Sequence, residues 1–279
     1  MLVLHEGWVT GNLVAAREAR DAGVPYIVMP HGVYDPDWRR YLKPPRVVRE
    51  AFERSMLEKA RAVHVFFRSE AFDIQRIAPA ARFVVVPTGF SRAVPQWTGG
   101  GGYLSWVGRY DPHHKGLDLL VDAVSLLSVN ERPRVVLHGY DYMGGMEQLR
   151  AYVARAGVRD WIEVEGAVTG ESKMDFLRKS DGYLHPSRWE CHSMALLENL
   201  AIGVPSVVSG SIHIAGLLDR RRAALIAQPD PESVAAGMLA LPGRRDELAE
   251  SARRLVEAEF AWPNLVPRFL DELARVGLH

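Results

Sequence analysis

Short apolar runs alternate with longer amphipathic stretches along almost the whole chain. Residues 1–5 (MLVLH) read as a buried strand, 10–22 as an amphipathic helix ended by Gly23, and 25–30 (PYIVMP) as a second strand bounded by His31-Gly32. A helical pattern covers 44–60, with Pro44 and Pro45 at its start, where proline is tolerated. AVHVFF (62–67), a helix near 69–78 and FVVVP (83–87) complete the first half. The alternation restarts with strands at 103–108, 134–138 and 161–165 and helices at 116–127, 145–156 and 171–179. A strand at 223–228, helices near 231–241 and 244–258, and a last helix in the tail close the chain. Strands alternating with helices predict an α/β protein with parallel, doubly wound sheets.

Between the halves lies PQWTGGGG (95–102), whose consecutive glycines bury nothing and lose the most entropy on ordering. Residues 96–102 therefore read as a linker between residues 1–95 and 103–259. The first half shows four strand candidates and the second six. At roughly 30 residues per βα unit, two or three units are expected to be absent from the front. A fragment, a misplaced start and a short form with a partner chain or self-association all fit that count.

The stretch 185–209 (HPSRWECHSMALLENLAIGVPSVVS) concentrates the candidate chemistry. It reads as a strand ending at Ser187, a loop through Trp189 and Glu190, a helix from about Ser193, then Gly203-Val204-Pro205 and another strand. In such a βαβ unit, ligands sit beyond the carboxyl ends of the strands. The unpaired N–H groups at the helix start favour an anion there. Two carboxylates, Glu190 and Glu198, stand beside that helix end. Diphosphate plus hydroxyls is the ligand chemistry they suit, and a nucleotide sugar has both. Arg109 and Lys115 stand six apart across the loop RYDPHHK, flanked by Gly108 and Gly116, and could grip a diphosphate or be plain surface charge.

Composition narrows the function classes. Hydrophobic residues make up 48% and charged ones 24%, as in ordinary globular proteins. Basic and acidic side chains both number 34, so no whole-chain field draws the protein to nucleic acid. The single cysteine, Cys191, excludes an internal disulfide framework and fits a cytoplasmic compartment. MLVLHEGW does not read as a signal peptide, and no apolar stretch reaches the ~20 residues that span a bilayer. Locally, residues 38–61 carry eight basic and three acidic side chains, interleaved with Trp38, Tyr41 and Leu42. They could dock on anionic lipid at the inner membrane face or on a phosphate-bearing acceptor, or form a solvated helix face with pairs such as Glu50 and Arg54. Asp35-Pro36-Asp37 and His113-His114 read as turn and loop, and no metal site is expected.

Four motifs together resemble one family. Glu190, seven residues, Glu198, then Gly203-x-Pro205 before a strand is similar to the signature of group-1, family 4-like retaining glycosyltransferases of the GT-B fold. WVGRYDPHHKGLDLLVDAVSLL (106–127), VPYIVMPHGVYDP (24–36) and VVVPTGF (84–90) resemble its other motifs in the same order. The resemblance implies two Rossmann-like domains facing a cleft, with the C-terminal helix (260–279) assigned to the incomplete N-terminal, acceptor-side domain. The donor, a UDP- or GDP-linked sugar, would bind mainly to 103–259. It implies transfer of a hexosyl-type group to the hydroxyl of an unidentified glycan, lipid-linked or small-molecule acceptor in polysaccharide or glycoconjugate synthesis. Configuration would be retained, with no cofactor and with protein cations in place of metal.

On that pattern Gly108, Arg109 and Lys115 take the diphosphate and Glu198 the ribose hydroxyls. Glu190 stands at the donor sugar and His31 reaches the sugar as a hydrogen-bond partner, which makes these two the catalytic candidates. Cys191, His192 and Ser193 occupy the turn where Gly-Phe-Gly is commonest, so side chains crowd a place where backbone approaches phosphate. Two other readings remain: a sugar-nucleotide epimerase of similar architecture, and a non-catalytic nucleotide-sugar-binding module or one subunit of a split enzyme.

Overall fold

A computed structural model describes residues 1–39, 46–90 and 93–278, with backbone alone for 38, 39, 46 and 47. The chain divides into two compact units, Met1–Gly89 with Phe260–His279, and Phe90–Glu259. Among the described residues the first unit begins β1 (Leu2–His5), α1 (Thr10–Asp21), β2 (Tyr26–Met29), α2 (Pro36–Arg39), α3 (Arg46–Lys59), β3 (Ala62–Val65), α4 (Arg68–Gln75) and β4 (Phe83–Val85). Its strands pair in parallel in the order β1-β2-β3-β4, without reversal. Pro44, Pro45, Tyr41 and Leu42 lie outside the described residues.

A parallel sheet is normally covered on both faces, and β2 and β3 are buried almost throughout for that reason. Leu4, Val28, Val63 and Val65 share one core with Ala16, Met56, Leu57 and Ile74 from the helices. Ile27, Ala62, Val84 and Val86 form another cluster, whose helical contribution comes from the far end of the chain.

The second unit runs β5 (Leu104–Tyr110), α5 (Leu117–Leu126), β6 (Val135–Asp141), α6 (Gly145–Arg155), β7 (Ile162–Glu165), α7 (Gly170–Lys179), β8 (Gly182–His185), α8 (Met194–Ile202) and β9 (Ser206–Ser209). It ends with α9 (Ala215–Arg220), β10 (Leu225–Ala227), α10 (Pro231–Ala240) and α11 (Arg245–Glu259). The last helix, α12 (Trp262–Arg275), belongs to the first unit, where Leu265 packs on Ile27, Ala62, Val84 and Val86.

The six-stranded sheet has the order β10-β9-β8-β5-β6-β7, all parallel. From β5 the chain winds outward through β6 and β7, then returns to place β8 on the other side of β5. Strand order reverses between β5 and β8, so the loops leaving their carboxyl ends part there and open a crevice. Residues 111–116 and 186–193 are those two loops.

The glycine run read as a linker is instead docked on this unit. Trp97 N–H donates to the Ile202 carbonyl (2.9 Å), Thr98 N–H to that of Arg178 (2.9 Å) and Gly101 N–H to that of Lys179 (2.8 Å). Gly100 and Gly102 N–H groups donate to the two carboxylate oxygens of Asp181 at 2.8 and 3.0 Å. Gly99, Gly100 and Gly102 have φ of 61°, 80° and 72°, a region that favours glycine. The glycines are there to wrap the backbone around one carboxylate, and residues 97–102 form a strap rather than a free tether.

Candidate functional site

The loop after β5 is built by Asp111. Its Oδ1 accepts the His114 N–H at 3.2 Å and its carbonyl the Lys115 N–H at 2.9 Å. Gly116 follows at φ 62°, and a Cβ there would stand 2.0 Å from the Pro186 carbonyl oxygen. That close approach locks the 111–116 loop against the loop after β8. Arg188 completes the clasp: it donates to both carboxylate oxygens of Asp118, each at 2.7 Å, and its N–H to the His114 carbonyl at 3.0 Å. The His114 ring stacks on Trp189 with centroids 4.4 Å apart and bonds the Trp189 carbonyl at 3.0 Å.

Lys115 and Glu190 meet inside this clasp as an ion pair, their side chains only 16% and 11% exposed. Ser187 Oγ donates to the same Glu190 oxygen at 3.2 Å. Burial alone would push the Glu190 carboxyl up; Lys115, with His185 beside it, outweighs burial and holds it below the usual carboxylate range. His185 ends β8 with its Nε2 3.9 Å from Glu190 Oε1, and burial drives its pKa down to about 4. The strand stops at His185, two residues before the expected Ser187.

Ser193 is the N-cap of α8 and accepts the Leu196 N–H at 3.3 Å, so one of the helix's free donors is already taken. Cys191 and His192, both half-buried, fill the turn ahead of it. Glu198, one turn inside, is clasped by Lys173 of α7, whose Nζ donates to its two oxygens at 2.9 and 2.7 Å. Arg109 takes different partners from Lys115: its guanidinium lies 4.2 Å from the Tyr142 ring centroid and 3.7 Å from Asp111 Oδ2. Gly108 lies against the Trp106 indole, where a Cβ would come within 2.7 Å.

In the first unit His31 and Gly32 form the turn after β2 with φ of 56° and 78°. His31 Nε2 is 2.9 Å from His5 Nδ1, one ring donating and the other accepting, and the rings stack at 5.2 Å. Burial, then the His5 charge, lowers the His31 pKa. Glu70 fixes the turn by accepting the Gly32 N–H at 3.2 Å and the Phe66 N–H at 2.9 Å. Asp35 Oδ1 accepts the Asp37 N–H at 2.8 Å, the turn expected of Asp-Pro-Asp. Sequence reasoning missed Lys173, Arg188, His5 and Glu70, whose partners lie 25 to 70 residues away, and His185, which stands near Glu190 but carries no motif.

A family model described as group 1 glycosyl transferases matches residues 101–243, half of the chain. The glycosyl transferase 4-like domain matches residues 1–89. The chain belongs to the group 1 glycosyl transferases. Among curated relatives, the mannosylfructose-phosphate synthase of Agrobacterium fabrum is 31% identical over 56% of this chain and 37% of its own length. The O-antigen chain mannosyltransferase B of Escherichia coli is 28% identical over 61% of this chain and 45% of its own. The chain thus spans less than half the length of these two relatives. Sucrose-phosphate synthase from Thermosynechococcus elongatus superposes with a TM-score of 0.80 at 18% identity, covering 98% of this chain and 73% of that one. Anabaena HepE in complex with UDP-glucose does so with 0.80 at 14% identity, covering 98% and 78%. These likenesses show the GT-B fold, whose two parallel sheets the glycosyltransferase chain carries.

Proposed function

We propose that this group 1 glycosyltransferase takes its sugar from a nucleotide sugar, UDP- or GDP-linked, and passes it to an acceptor hydroxyl with retention. The observation that carries the reading is the Lys115–Glu190 pair, held at the point where strand order reverses. A donor diphosphate would engage Lys115 and Arg109, and the sugar hydroxyls Glu190, so each buried charge keeps a partner when the donor enters. Glu198 would take the ribose hydroxyls, and the turn 191–193 would lie against the diphosphate. His31, with His5 behind it, is the first unit's candidate catalytic group. UDP-glucose bound to the structurally similar HepE supports the donor class.

In the reaction the acceptor oxygen bonds to the anomeric carbon as the bond to the diphosphate oxygen breaks. The acceptor's proton passes to that leaving oxygen, which needs no protein base and no cofactor. Stabilising the departing diphosphate is the largest electrostatic demand, and the cations answer it without a metal. The competing reading is a nucleotide-sugar-binding module or one subunit of a split enzyme.

Calorimetry on Arg109→Ala and Lys115→Ala tests the reading. Losing a charged hydrogen bond of ~1.5–3 kcal/mol should weaken nucleoside diphosphate binding about ten- to a hundredfold. The nucleoside without phosphates should bind as before. Equal losses for both ligands would mean that these side chains only support the fold. Hydrolysis of nucleotide sugars, which needs no acceptor, separates a transferase from a binding module.

A further inference from the structure

Two cavities of the first unit adjoin, and neither belongs to the site above. The larger, about 520 Å³, is a groove between α1 and α3 walled by Trp8, Leu13, Val14, Val48, Phe52 and Met56. Val14, Val48 and Phe52 are 56%, 54% and 59% exposed, a contiguous apolar strip rather than scattered surface residues. The smaller, about 230 Å³, is lined by Arg20, Lys59, Arg61 and Arg82 around the turn Gly23–Tyr26, with no carboxylate among the described lining residues.

The two meet at Arg20, which lines both. On α1, Leu13, Arg17 and Arg20 follow helical spacing, and on α3 so do Phe52, Met56 and Lys59. Each helix therefore turns one face from apolar to cationic toward its carboxyl end. From Thr10 to Arg20 the lane is about 15 Å long at 1.5 Å per residue. Helix-end cations alone would be unremarkable because they complement the dipole. Arg61 and Arg82, however, stand outside both helices.

Both donate to neutral partners. Arg61 donates to the Gly277 carbonyl at 3.1 Å and Arg82 to the Ala60 carbonyl at 3.3 Å, while Arg61 Nε is buried without a partner. The one carboxylate of the groove, Glu53, is 1% exposed and already accepts from the Tyr34 hydroxyl and the Trp8 N–H. Among the described residues the end of the lane is thus a cluster of cations lined by no carboxylate, and the groove beyond it is mainly apolar, with Arg17 and Arg49 also among its lining residues.

We propose that this lane binds a lipid phosphate, its tail in the α1–α3 groove and its phosphate on Arg20, Lys59, Arg61 and Arg82. Arginine forks match phosphate oxygens and lysine adds a mobile point charge, while the tail leaves water along Val14 and Phe52.

Binding of inorganic phosphate is compared with hexyl, octyl and decyl phosphate, each below its micelle concentration, on the full chain. Affinity should rise with tail length, by up to about fourfold per methylene. Phe52→Ser should flatten that rise, and Lys59→Glu should weaken every phosphate about tenfold. Both side chains are exposed, so thermal midpoints should stay unchanged. Decyl phosphate no tighter than inorganic phosphate overturns the proposal, as does decanol binding equally well. Indifference to Phe52→Ser, or a dimer that covers the groove and is not dissociated by decyl phosphate, overturns it too.

Discussion

His185 stands 3% exposed at the end of β8 with Nε2 unpartnered and Glu190 3.9 Å away. Burial moves its pKa from 6.5 down to about 4, so the folded protein keeps it neutral where the unfolded chain protonates it. Between about those two values the unfolded state binds more protons, and stability falls as pH drops through the window. A displacement of that size is worth about 3 kcal/mol. Glu190 adds a loss in the same direction, since its depressed carboxyl stabilises the fold above the unfolded pKa and stops doing so as pH falls through the folded one. Urea midpoints measured from pH 7 to pH 5 should therefore decline, and His185→Gln should decline less; parallel curves would assign the slope elsewhere, His64 included. Spacing and resemblance marked Arg109, Lys115, Glu190 and Glu198 as candidates. Their partners were not. A lysine on α7 that holds Glu198 leaves no local mark in the sequence, because the contact exists only once two helices pack.

At the scale of elements, hydrophobic period located nearly every strand and helix within a few residues, since most strands are buried on both faces; β1, expected as a buried strand, buries only Leu4 and leaves Val3 39% exposed. The four-residue helix Pro36–Arg39 and α9 escaped it, being too short to show a period. Residues 97–102 escaped for another reason: a run of glycines looks the same whether it hangs free or wraps a carboxylate, and Asp181 lies 79 to 81 residues away. Gly116, in the crevice, and Gly157, outside it, differ in what they answer to. Gly116 combines φ 62° with a backbone oxygen 2.0 Å from the Cβ position, whereas Gly157 after α6 has φ 68° and open space. Gly157→Ala should then cost about 1–2 kcal/mol for the left-handed conformation alone. Gly116→Ala must also push the 186–190 loop away, which should cost more and weaken nucleoside diphosphate binding by separating Lys115 from Glu190. Chemical denaturation and calorimetry on the two variants check this, and equal losses would show that the loops yield easily.

At the scale of the whole molecule the chain leaves its first unit at Gly89 and returns to it at Phe260. Apolar positions in the tail announced a helix, but periodicity alone does not say which sheet it covers; the assignment to the first half came from resemblance. In the structure α12 lays Leu265 on Ile27, Ala62, Val84 and Val86, with Phe269, Leu273 and Val276 packed against the same cluster. The Phe269 ring lies 5.1 Å from that of His64, and Arg268 donates to the Val85 carbonyl at 3.3 Å. The helix is thus an outer layer of the first sheet, which a parallel sheet needs on both faces. The second unit has a core of its own, centred on Trp106, Leu120, Leu137 and Leu184, to which no described residue of the tail contributes. Leu265→Ala should therefore cost about 2–5 kcal/mol in the first unit. Scanning calorimetry should show one transition moving down while the other stays, with nucleoside diphosphate binding to the second unit preserved at temperatures below both. If Leu265→Ala instead lowers both transitions together and binding falls with them, the two units unfold as one cooperative body, and α12 stabilises the second sheet as much as its own.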